Sequence, residues 1–453
     1  MRSFLLAVSL FAGAAIQGAG IDQLRADYAQ RFLDPQAHLR LSKHLEANGQ
    51  RLTAFFVSEA ARRQYFGDEV FDPAFRLVIL DDPFDNSPEA EKRLAAAVAA
   101  APGDAATLMK LADVYISRSN WKKAEPLVRK AIALAPDEHD YFAVLEQILV
   151  RANRLDDALK VRKQWADAHP QARETTIERV QQLLRAESPE AEKALAAALA
   201  AYPDEGILHF HHAGVLAEKD PAAAEKAYLR AAELEPKLAM VQGWTGRFFL
   251  KNTKEPERAL EHYLNAYFLD PHFYDSEYAE SRIRSLAYDR AQALIAAQPG
   301  ADVATLLRHP DPVVVGLTID RAGGAWKPEY AEPLISLLAH DDPNVRAMSS
   351  LVLSHHLAAA DPRLDALLAH DDLRVRGMAA YIAGAKRGEA IVPLMTSWLD
   401  HPAQLIRYDA MSVLAMHGGK AGRDVLMKLR RSGKYIEPRL RDILDIAAGK
   451  KPR

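Results

Sequence analysis

The stretch that decides the fold is "DAATLMKLADVYISRSNWKKAEPLVRKAIALAP", which runs from residue 104 to residue 136. Apolar side chains recur at helical spacing in both of its halves. In the second half Ala124 and Ala131 stand seven residues apart, so they share one helix face. Small side chains on that face let a neighbouring helix approach closely, and Pro136 ends the helix. The stretch therefore predicts two antiparallel helices.

This arrangement repeats along the first part of the chain. The closing proline recurs at intervals of 34, 34, 33, 33 and 35 residues, at Pro102, Pro136, Pro170, Pro203, Pro236 and Pro271. An alanine stands twelve residues before each of these prolines. A fixed period of this length is typical of stacked helical repeats. The pattern resembles the tetratricopeptide repeat (TPR), and the resemblance covers residues 21–271.

A second phrase recurs in the C-terminal part. "LLAHDDPNVRAM", residues 337–348, joins a histidine to two aspartates, residue types that hold catalytic metals. Related phrases place histidines at intervals of 31, 30 and 31 residues, at His309, His340, His370 and His401. A reaction centre needs one set of groups at one point, whereas stacked copies lie roughly 10 Å apart, one helix layer each. The phrase is therefore interpreted as a boundary between helices.

Within each phrase the polar residues receive structural roles. Asp342 and Asp372 are predicted to cap the second helix of their repeats, each accepting hydrogen bonds from free backbone amides. Arg346 and Arg376 lie about one turn further on and are predicted to form a ladder with acidic residues of adjacent repeats. Residues 300–448 resemble HEAT repeats of the phycobilin-lyase type. The predicted fold class is an all-α solenoid of antiparallel helix hairpins, a TPR superhelix followed by a HEAT-repeat array.

The two ends of the chain carry different signals. Residues 1–20 join Arg2 to an apolar run and then to small residues, which is the pattern of a secretory signal peptide. We expect cleavage near Gly20, a periplasmic or secreted bacterial protein and no stable membrane insertion afterwards. An uncleaved membrane anchor is the alternative. Residues 449–453 form a basic tail.

Composition excludes several function classes. The net charge of −3 gives no general attraction to nucleic acid or anionic lipid. Cysteine is absent, which rules out disulfides and thiolate metal sites. Nucleophile, zinc-protease and phosphate-loop motifs are also missing from the sequence. His209 and His212 share a helix face, but zinc needs three or four ligands, so a packing role is preferred to a metal site.

Aromatic residues gather where the two repeat types meet. Residues 272–299 are predicted to form junction helices, preceded by Tyr263 and Tyr267 and containing Phe273 and Tyr274. Aromatic side chains are enriched at recognition surfaces, but a junction must also bury the end of an array. Both interpretations of these four residues stay open, with burial favoured.

The sequence predicts an exported, non-catalytic scaffold or assembly protein. First helices of TPR-like units line a concave face, where Asp113, Ile116, Gln147 and Arg151 are predicted to contact a protein or peptide partner. We expect no catalytic residue, metal or cofactor. Two alternatives are an enzyme-assisting, lyase-like HEAT-repeat protein, suggested by the second resemblance, and a metal-binding envelope protein using His209 and His212.

Overall fold

The computed structural model describes residues 20–66, 87–270, 276–433 and 443–444, and every regular element among them is helical. The first three helices are α1 (Ile21–Gln30), α2 (Pro35–Ala47) and α3 (Arg51–Phe66). The middle of the chain holds α4 (Pro88–Ala100), α5 (Ala105–Ser117), α6 (Trp121–Leu134), α7 (His139–Arg151), α8 (Leu155–Ala168), α9 (Arg173–Arg185), α10 (Ala191–Ala201), α11 (Gly206–Leu216), α12 (Pro221–Leu234), α13 (Ala239–Phe248) and α14 (Pro256–Leu269). The C-terminal part holds α15 (Ser276–Ala296), α16 (Val303–Leu306), α17 (Pro312–Gly324), α18 (Ala331–Ser336), α19 (Pro343–His356), α20 (Pro362–Leu368), α21 (Leu373–Arg387), α22 (Val392–Trp398), α23 (Gln404–His417) and α24 (Gly419–Ser432).

These helices form two compact units of an α-solenoid. The first unit contains the described residues up to 66 and those from 277 onward, and the second contains the described residues from 87 to 276. The signal-peptide pattern in residues 1–19 and the basic tail lie outside the described residues. No helix in the described ranges has the length and apolar character needed to cross a membrane.

The second unit is a stack of helix pairs, beginning with α4 and ending with α14. In each pair a short turn reverses the chain, and α5 packs on α6 as α7 packs on α8. Ala124 and Ala131 are fully buried on α6, where they meet Leu108 and Ala112 of α5 in one core. The small side chains thus set the close approach of the two helices.

Four of the turns inside these pairs, those that follow α5, α7, α9 and α13, contain a residue in the left-handed backbone conformation. Ser119, Asn153, Glu187 and Lys254 all have positive φ, between 49° and 60°. The residue after each donates its backbone N–H to a carbonyl near the end of the preceding helix, for example Asn120 to Tyr115 at 2.8 Å. A left-handed residue followed by this bond is a standard way to close a helix.

A larger side chain at the tight helix contact should destabilise the second unit. We expect Ala131→Leu to lower the free energy of unfolding by about 2 kcal/mol, because a filled core must shift to accept extra methylene groups. Ala133→Leu, on the exposed side of the same helix, is the matched control and should have little effect. Urea unfolding followed by circular dichroism measures both variants, and equal stabilities would contradict close packing at Ala131.

The C-terminal repeats of the first unit begin their second helices with the histidine phrase. Asp342 accepts a hydrogen bond from the backbone N–H of Asn344 at 2.8 Å, and Asp372 accepts one from Arg374 at 2.9 Å, as N-caps do. His340 Nδ1 accepts the N–H of Asp342 at 3.0 Å. The same bond is made by the equivalent histidines His309, His370 and His401. Each imidazole is thus part of the turn that starts a helix.

The arginines of this phrase do not form the predicted acidic ladder. Arg346 donates to the carbonyl oxygens of His340 and Asp341 at 2.6 and 2.9 Å, and Arg376 donates to that of His370 at 2.9 Å. The guanidinium folds back onto its own turn because that turn leaves carbonyl oxygens without helix partners. Ion pairs between repeats are made by other arginines: Arg374 reaches back to Asp341, and Arg363 reaches back to Glu332.

Helices α1–α3 belong to the first unit, although the repeat spacing predicts one array over residues 21–271. Helix α1 packs on α21 and α23, and α3 packs on α19. The backbone N–H of Leu33 donates to Gln404 Oε1 at 2.9 Å, and Arg284 of α15 pairs with the buried carboxylate of Glu59. Contacts between residues more than 200 positions apart in the sequence therefore fix the N-terminal helices against the C-terminal repeats.

Candidate functional site

The first unit contains a groove of about 700 Å³. Its walls are the parallel faces of α19, α21 and α23, the second helices of three successive repeats. Helix α21 packs against both α19 and α23 and lies between them. A cavity of this size is in the range that proteins use to bind ligands.

The surface of the groove is apolar. Leu351 on α19 and Met416 on α23 are 58% and 66% exposed, and Met378 of α21 lies between them in the lining. Ser350 and Ser354 turn their hydroxyls to carbonyl oxygens of their own helix, at 3.0 and 2.7 Å. Large exposed apolar side chains that share one concavity are typical of an interaction surface.

One end of the groove is closed by α1 and the turn that follows it. Tyr28 and Phe32 line this end, and the ring of Phe32 lies 5.2 Å from the ring of Tyr408 on α23. Arg346 donates to the Tyr28 hydroxyl at 3.0 Å and its guanidinium lies over the tyrosine ring. The N-terminal helix thus supplies part of the groove.

A charged network holds this closing helix in place. Asp341 accepts two hydrogen bonds from Arg25 of α1, at 2.8 and 2.7 Å, and one from Arg374 of α21 at 2.7 Å. Arg374 also forms a two-bond pair with Asp372. Burial raises the pKa of Asp341, but the hydrogen bonds and charge of Arg25, together with Arg374, outweigh burial and hold that pKa below its usual value.

Asp409 is the one acidic residue in the lining of the groove, and it is buried. Its Oδ1 accepts the Tyr381 hydroxyl at 3.2 Å, while Oδ2 has no hydrogen-bond partner among the described residues. A Cβ atom at Gly377 would lie 2.0 Å from Oδ2, so only glycine leaves room for this carboxylate. Burial raises the pKa of Asp409 to about 7, against the lowering effects of the Tyr381 bond and the Arg346 charge.

The geometry does not assemble a metal site in the described part of the chain, where no group of three candidate ligands occurs. His209 Nε2 contacts the carbonyl oxygen of Pro203 at 2.8 Å, which is a bond to its own turn. Burial, and then the charge of His209, lowers the pKa of His212. His209 is therefore hydrogen bonded within its own turn, and a zinc titration of the purified protein tests metal binding through the pair.

The predicted partner surface lies on α5 and α7 of the second unit. Asp113 and Ile116 are half-buried on α5, and Gln147 and Arg151 are exposed on α7. Beside them Glu146 accepts a hydrogen bond at 3.2 Å from Arg162 of α8, which also pairs with Glu178 of α9 at 3.3 Å. Glu146 stands where the repeat pattern has a small residue, and this ion pair accommodates the larger side chain.

Residues 86–148 match the tetratricopeptide repeat family. This range contains α4 to α6 and most of α7. No curated protein matches the chain. Among solved structures, the chain is similar to the P58(IPK) TPR domain, at 14% identity and a TM-score of 0.26, over 92% of this chain and 98% of that one. It is also similar to a chain of Naa15/Naa10 bound to HypK-THB, at 11% identity and a TM-score of 0.28, over 99% of this chain and 63% of that one. It is similar as well to the human IFIT1 dimer with m7Gppp-AAAA, at 14% identity and a TM-score of 0.26, over 95% of this chain and 91% of that one.

Of the four aromatic residues predicted to contact a partner near the end of the TPR-like units, the structure describes two. Tyr263 and Tyr267 of α14 are 1% and 3% exposed, so they are core residues and the prediction that they contact a partner does not hold in this structure. Their helix meets α13 through this face, which needs large apolar side chains. Phe273 and Tyr274 lie outside the described residues.

The partner face predicted from the sequence does not include the groove residues, although the sequence carries a signal for them. Eleven residues after His340, His370 and His401 stand Leu351, Tyr381 and Ser412, and fifteen residues after them stand His355, Ala385 and Met416. These positions share one face of the second helices, and none of them carries a permanent charge. An uncharged face repeated at a period of about 30 residues marks this surface outside the TPR-like part.

Proposed function

We propose that this protein is an exported, non-catalytic scaffold that binds a partner protein through the groove of its first unit. The observation that carries the proposal is the open apolar groove with Leu351, Met378 and Met416 along its walls. The match of residues 86–148 to a repeat family adds support, since such repeats are stacking modules with extended binding surfaces. The predicted face around Gln147 and Arg151 is a second surface for a partner.

The proposal includes the type of the C-terminal repeats and the place where the protein acts. The recurring phrase at residues 300–448 favours HEAT-like units, and the pattern of residues 1–20 favours export to a bacterial periplasm. A scaffold is favoured over an enzyme because two of the three charged residues in the lining are engaged within the fold, Arg346 with carbonyl oxygens and Arg374 in ion pairs, which leaves Asp409 as a single carboxyl without a second catalytic group beside it in the lining. Groups committed in this way support the fold.

Position-specific crosslinking in the source cells tests the scaffold. A photoreactive amino acid placed at Leu351 or Met416 should give a discrete crosslink to another protein, because both side chains face the groove opening. Leu159 on α8, which is 57% exposed, is the matched control and should give none. Further variants at Ile116 and Arg151 test the second surface. Absence of any crosslink from Leu351 and Met416 would overturn the groove as the binding site.

A further inference from the structure

We infer that the groove receives one amphipathic α-helix of the partner protein, with its apolar face against α21. This inference rests on the proposed function and names the chemistry of the partner segment. Each wall helix has 14 or 15 residues, so the groove is about 20 Å long, which is close to four helical turns. A partner helix of similar length fits this trough along its axis.

Backbone chemistry favours a helix over an extended segment. The three walls are helices whose N–H and C=O groups bond within the helix, so they offer no free edge to an incoming strand. An extended peptide would bury backbone polar groups without partners, which costs free energy. A helix carries its own backbone hydrogen bonds and presents only side chains to the groove.

The relief of the walls matches helix packing. Small residues, Ala347 on α19 and Ala385 on α21, alternate with the large side chains of Leu351, Met378 and Met416. Recesses spaced by a helical turn accept side chains of another helix at positions i, i+3, i+4 and i+7. Methionine adapts its shape to such side chains because its chain is flexible and polarizable.

Charge defines the face of the partner. The charged residues in the groove lining, Arg346, Arg374 and Asp409, are all buried, and both arginines are bonded within the unit. The exposed side chains of the lining therefore include no Asp, Glu, Lys or Arg. An uncharged, apolar face complements this surface, while a charged side chain there would lose its hydration without a partner.

The test is a binding titration of the purified full chain with two labelled peptides. The first is an 18-residue peptide with leucines at i, i+3, i+4 and i+7 and Glu and Lys elsewhere, and the second has the same composition in an order that spreads leucine around the helix. Fluorescence anisotropy should show binding of the first at least about tenfold tighter than the second. Equal affinity for both peptides, or binding of neither, would overturn the inference.

Variants place the binding in the groove. Leu351→Glu and Met416→Glu change exposed positions, where folding tolerates a charge. Each variant should lower the affinity for the first peptide by about tenfold. Leu159→Glu, equally exposed in the other unit, should leave its affinity unchanged. If sodium palmitate binds in the groove and the peptide does not, the occupant is an acyl chain and the helix is excluded. If crosslinks from Leu351 reach a partner while the peptide does not bind, the scaffold remains and the helix is wrong.

Discussion

Asp341→Asn should lower the free energy of unfolding of the first unit by about 3 kcal/mol, because it leaves a buried arginine with less than its full set of partners. Asp341 accepts hydrogen bonds from Arg25 and Arg374, and the Arg374 side chain is almost completely buried. Arg374 keeps its pair with Asp372, which places the effect at the lower end of the range for a broken buried pair. Urea unfolding of the full chain followed by tryptophan fluorescence measures the change.

The same substitution should also loosen α1, since Arg25 loses its contact with the C-terminal repeats. Hydrogen exchange of residues 21–30 should therefore become faster in Asp341→Asn than in the parent protein. The control is Asp365→Asn, because Asp365 is exposed and pairs with Arg387 at the surface, where a lost pair changes stability by less than about 1 kcal/mol. Equal effects of the two substitutions would show that Asp341 does not hold the closing helix.

Asp409→Asn should stabilise the first unit, and more so at pH 8 than at pH 5. Burial raises the pKa of Asp409 to about 7 in the folded chain, above the ordinary value of 3.8 that applies when the chain is unfolded. A carboxyl with a raised pKa makes its full contribution to stability below the unfolded pKa and loses it as the pH rises through the folded pKa. Through this group, the wild-type protein therefore loses stability as the pH rises from about 4 to about 7.

The gain from Asp409→Asn should accordingly be larger at pH 8 than at pH 5 by about 3 kcal/mol, measured as the difference between urea unfolding curves at the two pH values. The groups that lower the pKa of this carboxyl are the Tyr381 hydroxyl, which donates a hydrogen bond to it, and the Arg346 charge. Asp424→Asn is the control, since Asp424 is exposed and its pKa is lowered by Lys420. A gain that is the same at both pH values would contradict a buried, proton-binding Asp409.

Local features of the fold can be predicted from the sequence because they depend on residues close together in the chain. The burial of Ala124 and Ala131 follows from their seven-residue spacing, and the cap at Asp342 follows from an aspartate placed before a proline. The positions of the left-handed turn residues are harder to predict from the sequence. Ser119, Glu187 and Lys254 are not residues that favour positive φ, so the turn geometry is imposed by the packing of the two helices that it joins.

Contacts between distant segments could not be predicted. Nothing near Tyr28 in the sequence indicates that its ring meets Arg346, 318 residues away, and the periodicity of residues 21–66 fits either array. The ladder prediction was wrong for a related reason. Spacing places Arg346 and Arg376 on the correct turn of their helices, but the choice between a carbonyl oxygen and a carboxylate depends on side-chain direction in three dimensions.

The candidate site divides in the same way. The face at Asp113, Ile116, Gln147 and Arg151 was predicted from repeat register and stays a prediction. The uncharged face of the groove repeats in the sequence, but whether that face stays exposed depends on how three repeats and α1 stack, which is a contact between distant segments. Leu351 and Leu353 lie two residues apart in one helix, yet the first is exposed and the second is fully buried.

Hydrogen exchange of the chain in complex with the partner captured by crosslinking tests the central claim most directly. The groove account predicts slower exchange in 343–356, 373–387 and 404–417 on binding, with no change in the first helices of the TPR-like units. Slower exchange confined to 105–117 and 139–151 would contradict it and place the partner on the other predicted face.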